Sequence, residues 1–278
     1  MIEVEQVTIQ ARQKLYESSG IYISGSQLEY FERQITQRMV ALNHDSDKQY
    51  LQLLSSDESG QELNQLLKML FVGDTRFLNH RFQTSAIVEH AIPELFKDKD
   101  CDTLNIWYHG LGSGEGLYSL MLLLHEQNRR FGRDFKYSII GSDMSEESLA
   151  QTEQAVYRKS AVSHLGSEKL ERYFEALEGS KYRFLPLPEQ EIKLKMIVPH
   201  DESNWQEIGQ PDLIVFQNIM MYYSLPGRQQ IARRLFQVLS AKGYLFVGPT
   251  ESLYQVIDDF RIVHFKKTLG YKKPVAGS

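Results

Sequence analysis

The stretch WYHGLGSGEGLYSL, residues 107–120, has a glycine at every second position from Gly110 to Gly116. It follows an apolar, strand-like segment and leads into an apolar pattern with helical spacing. Glycine adopts positive φ angles and lets backbone amides approach a ligand without an intervening side chain. A turn of this kind between a strand and a helix predicts a binding crevice at the carboxyl end of the strand.

Strand-like and helical segments alternate around this turn. The strand-like segments are 104–109, 137–141, 193–198, 213–217 and 244–248. Helical patterns lie between several of them, at 116–127, 145–155 and 225–239. The alternation predicts an α/β fold with a doubly wound, mostly parallel sheet that is covered on both faces. Residues 172–196 contain short strand-like pieces and turns, which predict a small antiparallel β insertion.

Residues 1–72 show helical periodicity without strand signals. Four apolar residues recur three or four positions apart and predict one buried helix face: Leu28, Phe31, Ile35 and Met39. Ser26, three residues before Glu29, predicts a capping box at the start of that helix. We therefore predict a helical N-terminal domain over residues 1–84, followed by the α/β domain over residues 85–278.

Composition restricts the class of protein. The net charge of −5 in 278 residues gives no broad basic surface for nucleic acid, so no nucleic-acid partner is expected. Cys101 is the single cysteine, which excludes an internal disulfide and fits a cytoplasmic location. No apolar run approaches the length of a membrane span, and the first residues lack the apolar core of a signal peptide. No metal is expected, because no metal-ligand spacing is found among His44, His80, His90, His109 and His125.

The glycine spacing favours one type of ligand over another. The pattern is G-x-G-x-G rather than the G-x-G-x-x-G of dinucleotide-binding turns, which argues against a nicotinamide-dependent oxidoreductase. It is closer to the loop with which methyltransferases bind S-adenosylmethionine, although a purely structural turn stays open. Asp143 ends the next strand, where a carboxylate can accept hydrogen bonds from both ribose hydroxyls. Alternatively, Asp143 or Ser145 caps the following helix.

Five segments of the chain resemble motifs of one known family. WYHGLGSGEGLYSL is similar to the family's W-x-A-x-x-S-T-G-E-E-P-Y-S-L, and GSDMSEESLAQTEQAVY to A-T-D-I-D…L-x-x-A-x-x-G-x-Y. PDLIVFQNIMMYYS resembles F-D-x-I-x-C-R-N-V-x-I-Y-F, and LSAKGYLFVGPTESL resembles L-x-P-G-G-x-L-x-x-G-x-S-E-S-L. Upstream, GDTRF resembles N-x-T-x-F-F-R. These are the motifs of the CheR-type chemoreceptor glutamate O-methyltransferases, and their order and spacing agree over residues 70–255.

The resemblance implies both architecture and activity. It implies a class I methyltransferase domain that uses S-adenosylmethionine to methylate glutamate side chains, in chemotaxis or a related pilus-linked pathway. The implied partner is the helical cytoplasmic region of a methyl-accepting chemoreceptor, with the N-terminal domain and the 172–196 insertion as docking surfaces. Because a glutamate carboxylate is already ionised near pH 7, such a site needs no general base. It needs alignment and exclusion of water instead.

The resemblance also implies the site residues. The implied cofactor-binding positions are Thr75, Gly112, Gly114, Glu115, Asp143, His200, Asp201, Phe216 and Gln217. The implied catalytic positions are Asn218 and Tyr222, with the tyrosine facing the transferred methyl group. From the residues alone, the Tyr222 ring is equally consistent with simple packing at the end of a buried strand.

Several positions depart from the family pattern. Gly116 replaces the second glutamate of G-E-E, and Leu117 replaces the proline that follows it. Asn79 stands for the arginine of F-F-R, and Gln217 for the arginine of C-R-N. His200-Asp201 replaces an Asn-Leu pair. These changes remove polar groups from the site, and they motivate an alternative function as a catalytically silent relative that binds a receptor or the cofactor.

Overall fold

The computed structural model describes residues 5–44, 46–57, 60–71, 76–99, 103–132, 135–188 and 190–275. The chain divides into two compact units by its internal contacts. One comprises Met1–Gly73 and Met221–Arg228, and the other comprises Asp74–Met220 and Gln229–Ser278. The predicted domain boundary lies further along the chain, after residue 84.

The first unit is helical. Its helices are α1 (Glu5–Ser19), α2 (Ser26–Ala41), α3 (Asp47–Ser56) and α4 (Gln61–Phe71). Phe31, Ile35 and Met39 of α2 are fully buried, as their spacing predicts. The predicted capping box is wrong, because α2 begins at Ser26 and its N-cap is Gly25, which has a φ of 58° and no side chain to cap the helix.

A buried ionic network joins three of these helices. Arg38 of α2 donates from Nε and Nη2 to the two carboxylate oxygens of Glu62 in α4, at 2.9 and 2.8 Å. The Tyr50 hydroxyl of α3 donates to the same carboxylate at 2.5 Å. Glu62 is only 4% exposed, so these partners satisfy a carboxylate that has lost its water.

The rest of the chain alternates helices and strands. The helices are α5 (Arg81–Ala86), α6 (Ile92–Lys99), α7 (Glu115–Phe131), α8 (Glu146–Gln154), α9 (Lys159–Val162), α10 (Ser167–Tyr173) and α11 (Leu225–Val238), with a π-helical turn, Ile87–Ala91, between α5 and α6. The strands are β1 (Thr103–His109), β2 (Lys136–Asp143), β3 (Val156–Arg158), β4 (Phe174–Leu177), β5 (Lys181–Phe184), β6 (Gln190–Met196), β7 (Leu213–Phe216), β8 (Tyr244–Val247), β9 (Arg261–Phe265) and β10 (Thr268–Lys272).

Seven strands form the main sheet, in the order β6-β2-β1-β7-β8-β10-β9. The pairs from β6 to β8 are parallel, whereas β10 runs antiparallel to both neighbours. The predicted mostly parallel, doubly wound sheet is thus confirmed. Every residue of β7 and β8 is buried, which is typical of central parallel strands.

The small antiparallel sheet contains β3, β5 and β4 and is confirmed as a separate element. Its extent differs from the predicted 172–196, because it begins earlier, at β3, and does not include β6. Beyond the Pro186 and Pro188 turn, the chain returns to the main sheet, where β6 pairs in parallel with β2. In β6, Ile192 and Leu194 pack against the core and alternate with charged residues, as expected for an edge strand.

The register of the central strands sets the position of the binding crevice. His109 of β1 pairs with Ser142 of β2 and with Phe216 of β7. Asp143 at the end of β2 pairs with Met196 at the end of β6. The loops that follow β1, β2, β6 and β7 therefore leave the sheet at one edge, where open α/β sheets bind their ligands.

Candidate functional site

The glycine turn after β1 has left-handed backbone at three positions. The φ angles are 85° at Gly110, 57° at Gly112 and 97° at Gly114. A Cβ at Gly110 would lie 2.5 Å from the Gln217 carbonyl oxygen, and one at Gly114 would lie 2.8 Å from the Tyr157 hydroxyl. A Cβ at Gly112 would meet no atom of the described residues within 4 Å, apart from its own chain neighbours. Two glycines thus permit close packing, and the third leaves open space above the turn.

The Asp143 carboxylate faces this turn. Its Oδ2 accepts from the Gly112 N–H at 3.2 Å, and its Oδ1 accepts from the Ser145 N–H at 3.0 Å. Ser145 itself caps α8, since its Oγ accepts from the Ser148 N–H at 3.3 Å. Burial raises the pKa of Asp143, and the backbone N–H donors oppose that rise. Ser145 therefore caps α8, and Asp143 is left to place its carboxylate against the glycine turn.

Glu115 adds a second buried carboxylate. It is the first residue of α7 and 5% exposed, and it accepts from the Ser113 hydroxyl at 2.7 Å. The N-terminus of a helix stabilises such a charge. Burial, together with the nearby Glu115 charge, raises the pKa of Tyr108 well above its usual range. The crevice thus has an acidic character that suits a cationic ligand.

The Tyr108 hydroxyl explains one departure from the family pattern. A Cβ at Gly116 would lie 2.2 Å from this oxygen. A glutamate at position 116 cannot fit while the tyrosine ring keeps its place. The Tyr108 hydroxyl therefore occupies the space next to Gly116 into which the family's second glutamate would begin to extend.

The loop after β7 holds Phe216, Gln217 and Asn218. The Phe216 ring is fully buried and stacks on His109 at a centroid distance of 4.7 Å. Asn218 has a φ of 53°, and its N–H donates to Glu251 Oε2 at 3.0 Å. The Gly248 N–H donates to the same oxygen at 2.8 Å, so Glu251 ties together the loops that follow β7 and β8.

Gln217 is linked to Gln83 of α5. The Gln217 Nε2 donates to Gln83 Oε1 at 2.7 Å, and the Gln83 Nε2 donates to the Val247 carbonyl at 2.6 Å. Both glutamines line a cavity of about 80 Å³ beside the glycine turn, and Asn79 lines it too. Asn79 thus lies at the site, although it lacks the charge of the family's arginine.

The turn after β6 places His200 and Asp201 at the same edge of the sheet as Asp143. Both residues are exposed. The Asp201 carboxylate accepts from the N–H and the hydroxyl of Ser203, each at 2.9 Å, and these bonds lower its pKa. Arg234 donates to the His200 carbonyl at 2.9 Å and fixes the turn.

Tyr222 belongs to the first unit. It ends a 3₁₀ turn, Met220–Tyr222, and not a strand, because β7 stops at Phe216. Its hydroxyl donates to the Leu70 carbonyl at 3.0 Å. Thr75 lies outside the described residues.

Sequence reasoning assigned no role to four residues that shape this site: Gln83, Tyr108, Tyr157 and Glu251. Glu251 could have been found, because it stands within GPTESL, the segment that resembles the family's G-x-S-E-S-L. Gln83 carried no comparable signal, since 134 residues separate it from its partner. Among the described residues, no group of three or more His, Cys, Asp or Glu side chains could hold a metal ion. In the same part of the chain, no helix is long and apolar enough to cross a bilayer.

Known sequences match both units. Residues 73–269 match the family described as CheR methyltransferase, SAM binding domain, and residues 9–71 match the CheR methyltransferase, all-alpha domain. The chain is similar to chemotaxis protein methyltransferase 2 of Vibrio cholerae, with 25% identity over 96% of this chain and 92% of that protein. The chemotaxis protein methyltransferase of Salmonella typhimurium is 24% identical over 90% and 85% of the two chains. The probable biofilm formation methyltransferase WspC of Pseudomonas putida is 28% identical over 85% of this chain and 54% of its own length.

Proposed function

Because this chain belongs to the CheR methyltransferase family, we propose that it transfers methyl groups from S-adenosylmethionine to glutamate side chains of a chemoreceptor. The observation that carries the proposal is the Asp143 carboxylate, buried against the open glycine turn at Gly112, within the matched cofactor-binding domain. We further propose that the acceptor glutamates lie on the helical cytoplasmic region of the receptor.

The residues at the sheet edge fit this cofactor. Gly112 leaves open space above the turn, and the buried Gln217 Oε1 has no hydrogen-bond partner among the described residues. Asp143 is the residue that would hold the ribose hydroxyls, and the exposed turn at His200 would border the adenine. When bound, S-adenosylmethionine supplies a methyl group activated by a positively charged sulfur.

The chain's own contribution is positioning and electrostatics. A glutamate acceptor is ionised near pH 7, so no side chain has to remove a proton. The buried Glu115 and Asp143 provide negative charge, which stabilises a cationic cofactor where water is excluded. The role of Tyr222 in orienting the acceptor carboxylate is proposed from the family resemblance alone.

The departures from the family pattern do not favour a silent relative. The Tyr108 hydroxyl occupies the space of the missing acid at Gly116, and Gln83 supports the residue that replaces the family's arginine. Polar side chains from Tyr108 and Gln83 are therefore present at the two positions where the family's charged residues are missing.

Two measurements test the proposal. Calorimetric titration with S-adenosylhomocysteine should show saturable binding, and radiolabelled methyl groups should pass to receptor-bearing membranes as base-labile esters. Membranes from cells that lack chemoreceptors are the control and should stay unlabelled. Absence of S-adenosylhomocysteine binding would overturn the proposed function, whereas binding without methyl transfer would support the silent alternative.

A further inference from the structure

Two buried glutamine side chains form a relay beside the small cavity. Gln83 and Gln217 are each 5% exposed, and the Gln217 Nε2 donates to Gln83 Oε1. The Gln83 Nε2 donates in turn to the Val247 carbonyl at the end of β8. A relay of this kind holds both amide groups in a fixed orientation.

The Val247 carbonyl determines that orientation. A backbone carbonyl only accepts hydrogen bonds, so the NH₂ group of Gln83 must face it. The Gln83 oxygen then faces Gln217 and requires the Gln217 NH₂ group as its donor. The Gln217 Oε1 is consequently left as an acceptor, and it is buried without a partner among the described residues. Burying an acceptor without a hydrogen-bond donor costs free energy, and a ligand that supplies the donor recovers that cost.

The cavity identifies the kind of donor. Its volume is about 80 Å³, and it borders the glycine turn at Gly110 and Leu111. Arg76 and Asn79 line it together with the two glutamines. An amide with a free acceptor and an arginine that line one cavity match the α-ammonium and α-carboxylate of an amino acid.

We propose that the Gln217 Oε1 accepts a hydrogen bond from the α-ammonium group of the methionine moiety of the cofactor. Gln83 is the positioning residue that holds the Gln217 amide in this orientation, and Arg76 faces the α-carboxylate. The inference rests on the proposed function and adds to it the recognition of the cofactor's amino-acid end.

Three ligands test this assignment by calorimetry. They are S-adenosylhomocysteine, its analogue with hydrogen in place of the α-amino group, and 5′-methylthioadenosine, which lacks the whole amino-acid end. The unaltered protein should bind the deamino analogue about tenfold more weakly than S-adenosylhomocysteine, because a hydrogen bond to a charged group is lost. Gln217→Leu and Gln83→Leu should bind these two ligands with equal affinity and should keep their affinity for 5′-methylthioadenosine.

Gln127→Leu is the matched control. Gln127 also donates to a backbone carbonyl, that of Val88, and also has a buried Oε1 without a partner among the described residues, but it does not line this cavity. It should retain the tenfold discrimination. If Gln83→Leu does not fold, Gln83→Met, with an unbranched chain of similar length, replaces it.

The outcomes separate this inference from the proposed function. Discrimination that persists in Gln217→Leu would overturn the inference, as would an equal loss of affinity for all three ligands. If the unaltered protein bound none of the ligands, the proposed function itself would fail. Binding of S-adenosylhomocysteine with no preference over the deamino analogue would leave the proposed function standing and overturn the inference alone.

Discussion

Asp143 provides a test at the level of a single residue. Replacing it with alanine removes a carboxylate that lies against the open part of the glycine turn. We expect Asp143→Ala to weaken S-adenosylhomocysteine binding by about 1–3 kcal/mol, the cost of losing a charge-assisted hydrogen bond. The measurement is calorimetric titration at fixed ionic strength.

Ser145→Ala is the control for this prediction. It removes the cap of α8, which should lower the free energy of unfolding by about 1 kcal/mol and leave the affinity unchanged. Equal affinity in Asp143→Ala and the unaltered protein would reduce Asp143 to a structural residue of the turn.

Gly116 provides a second test, in which the sign of the effect matters. Glycine to alanine within a helix normally stabilises by up to about 1 kcal/mol. Here the added Cβ would lie 2.2 Å from the Tyr108 hydroxyl, so Gly116→Ala should destabilise by about 1–3 kcal/mol. In a Tyr108→Phe background the nearest remaining ring atom is at 3.3 Å, and the same change should be nearly neutral. Urea unfolding of the four proteins measures the coupling. Stabilisation by Gly116→Ala alone would contradict the proposed clash.

At the level of the elements, the Arg38–Glu62–Tyr50 network holds α2, α3 and α4 together. Glu62→Ala removes the shared acceptor and leaves the part-buried Arg38 guanidinium and the buried Tyr50 hydroxyl without this partner. We expect a loss of about 3 kcal/mol in the free energy of unfolding. Tyr50→Phe removes one hydrogen bond and should cost about 1 kcal/mol. Chemical denaturation followed by circular dichroism distinguishes the two. Equal losses would mean that packing, and not the shared carboxylate, stabilises this unit.

Helices and strands differ in how clearly the sequence predicts them. Central parallel strands are buried on both faces, so LIVF in β7 and YLFV in β8 are continuous apolar runs that stand out. The hairpin of β9 and β10 was missed, because both strands are short and most of β9, the edge strand, is exposed. Gly112 and Asp143 followed from turn chemistry. Gln83 did not, because its role depends on a contact that only the fold creates.

At the scale of the whole molecule, stability should depend on one buried histidine. His109 is fully buried, stacks on Phe216 and has its Nδ1 2.8 Å from the Ser142 hydroxyl. Burial lowers its pKa to about 3, whereas an unfolded chain titrates near 6.5. The unfolded state therefore binds the proton more readily than the folded state. The stabilisation from neutral His109 is complete above about pH 6.5 and is lost as the pH falls toward 3.

The free energy of unfolding should therefore fall as the solution is acidified. Between pH 6.5 and 5, protonation of His109 in the unfolded state should lower the free energy of unfolding by about 1.6 kcal/mol, because the slope rises from about half of 1.4 kcal/mol per pH unit at pH 6.5 to nearly all of it at pH 5. His109→Gln should remove this contribution, whatever its effect on stability at pH 7, and His200→Gln, at an exposed position, should not. Urea unfolding at both pH values gives the difference for each protein. A slope unchanged in His109→Gln would mean that other groups cause the acid sensitivity, among them His80, whose pKa burial also lowers.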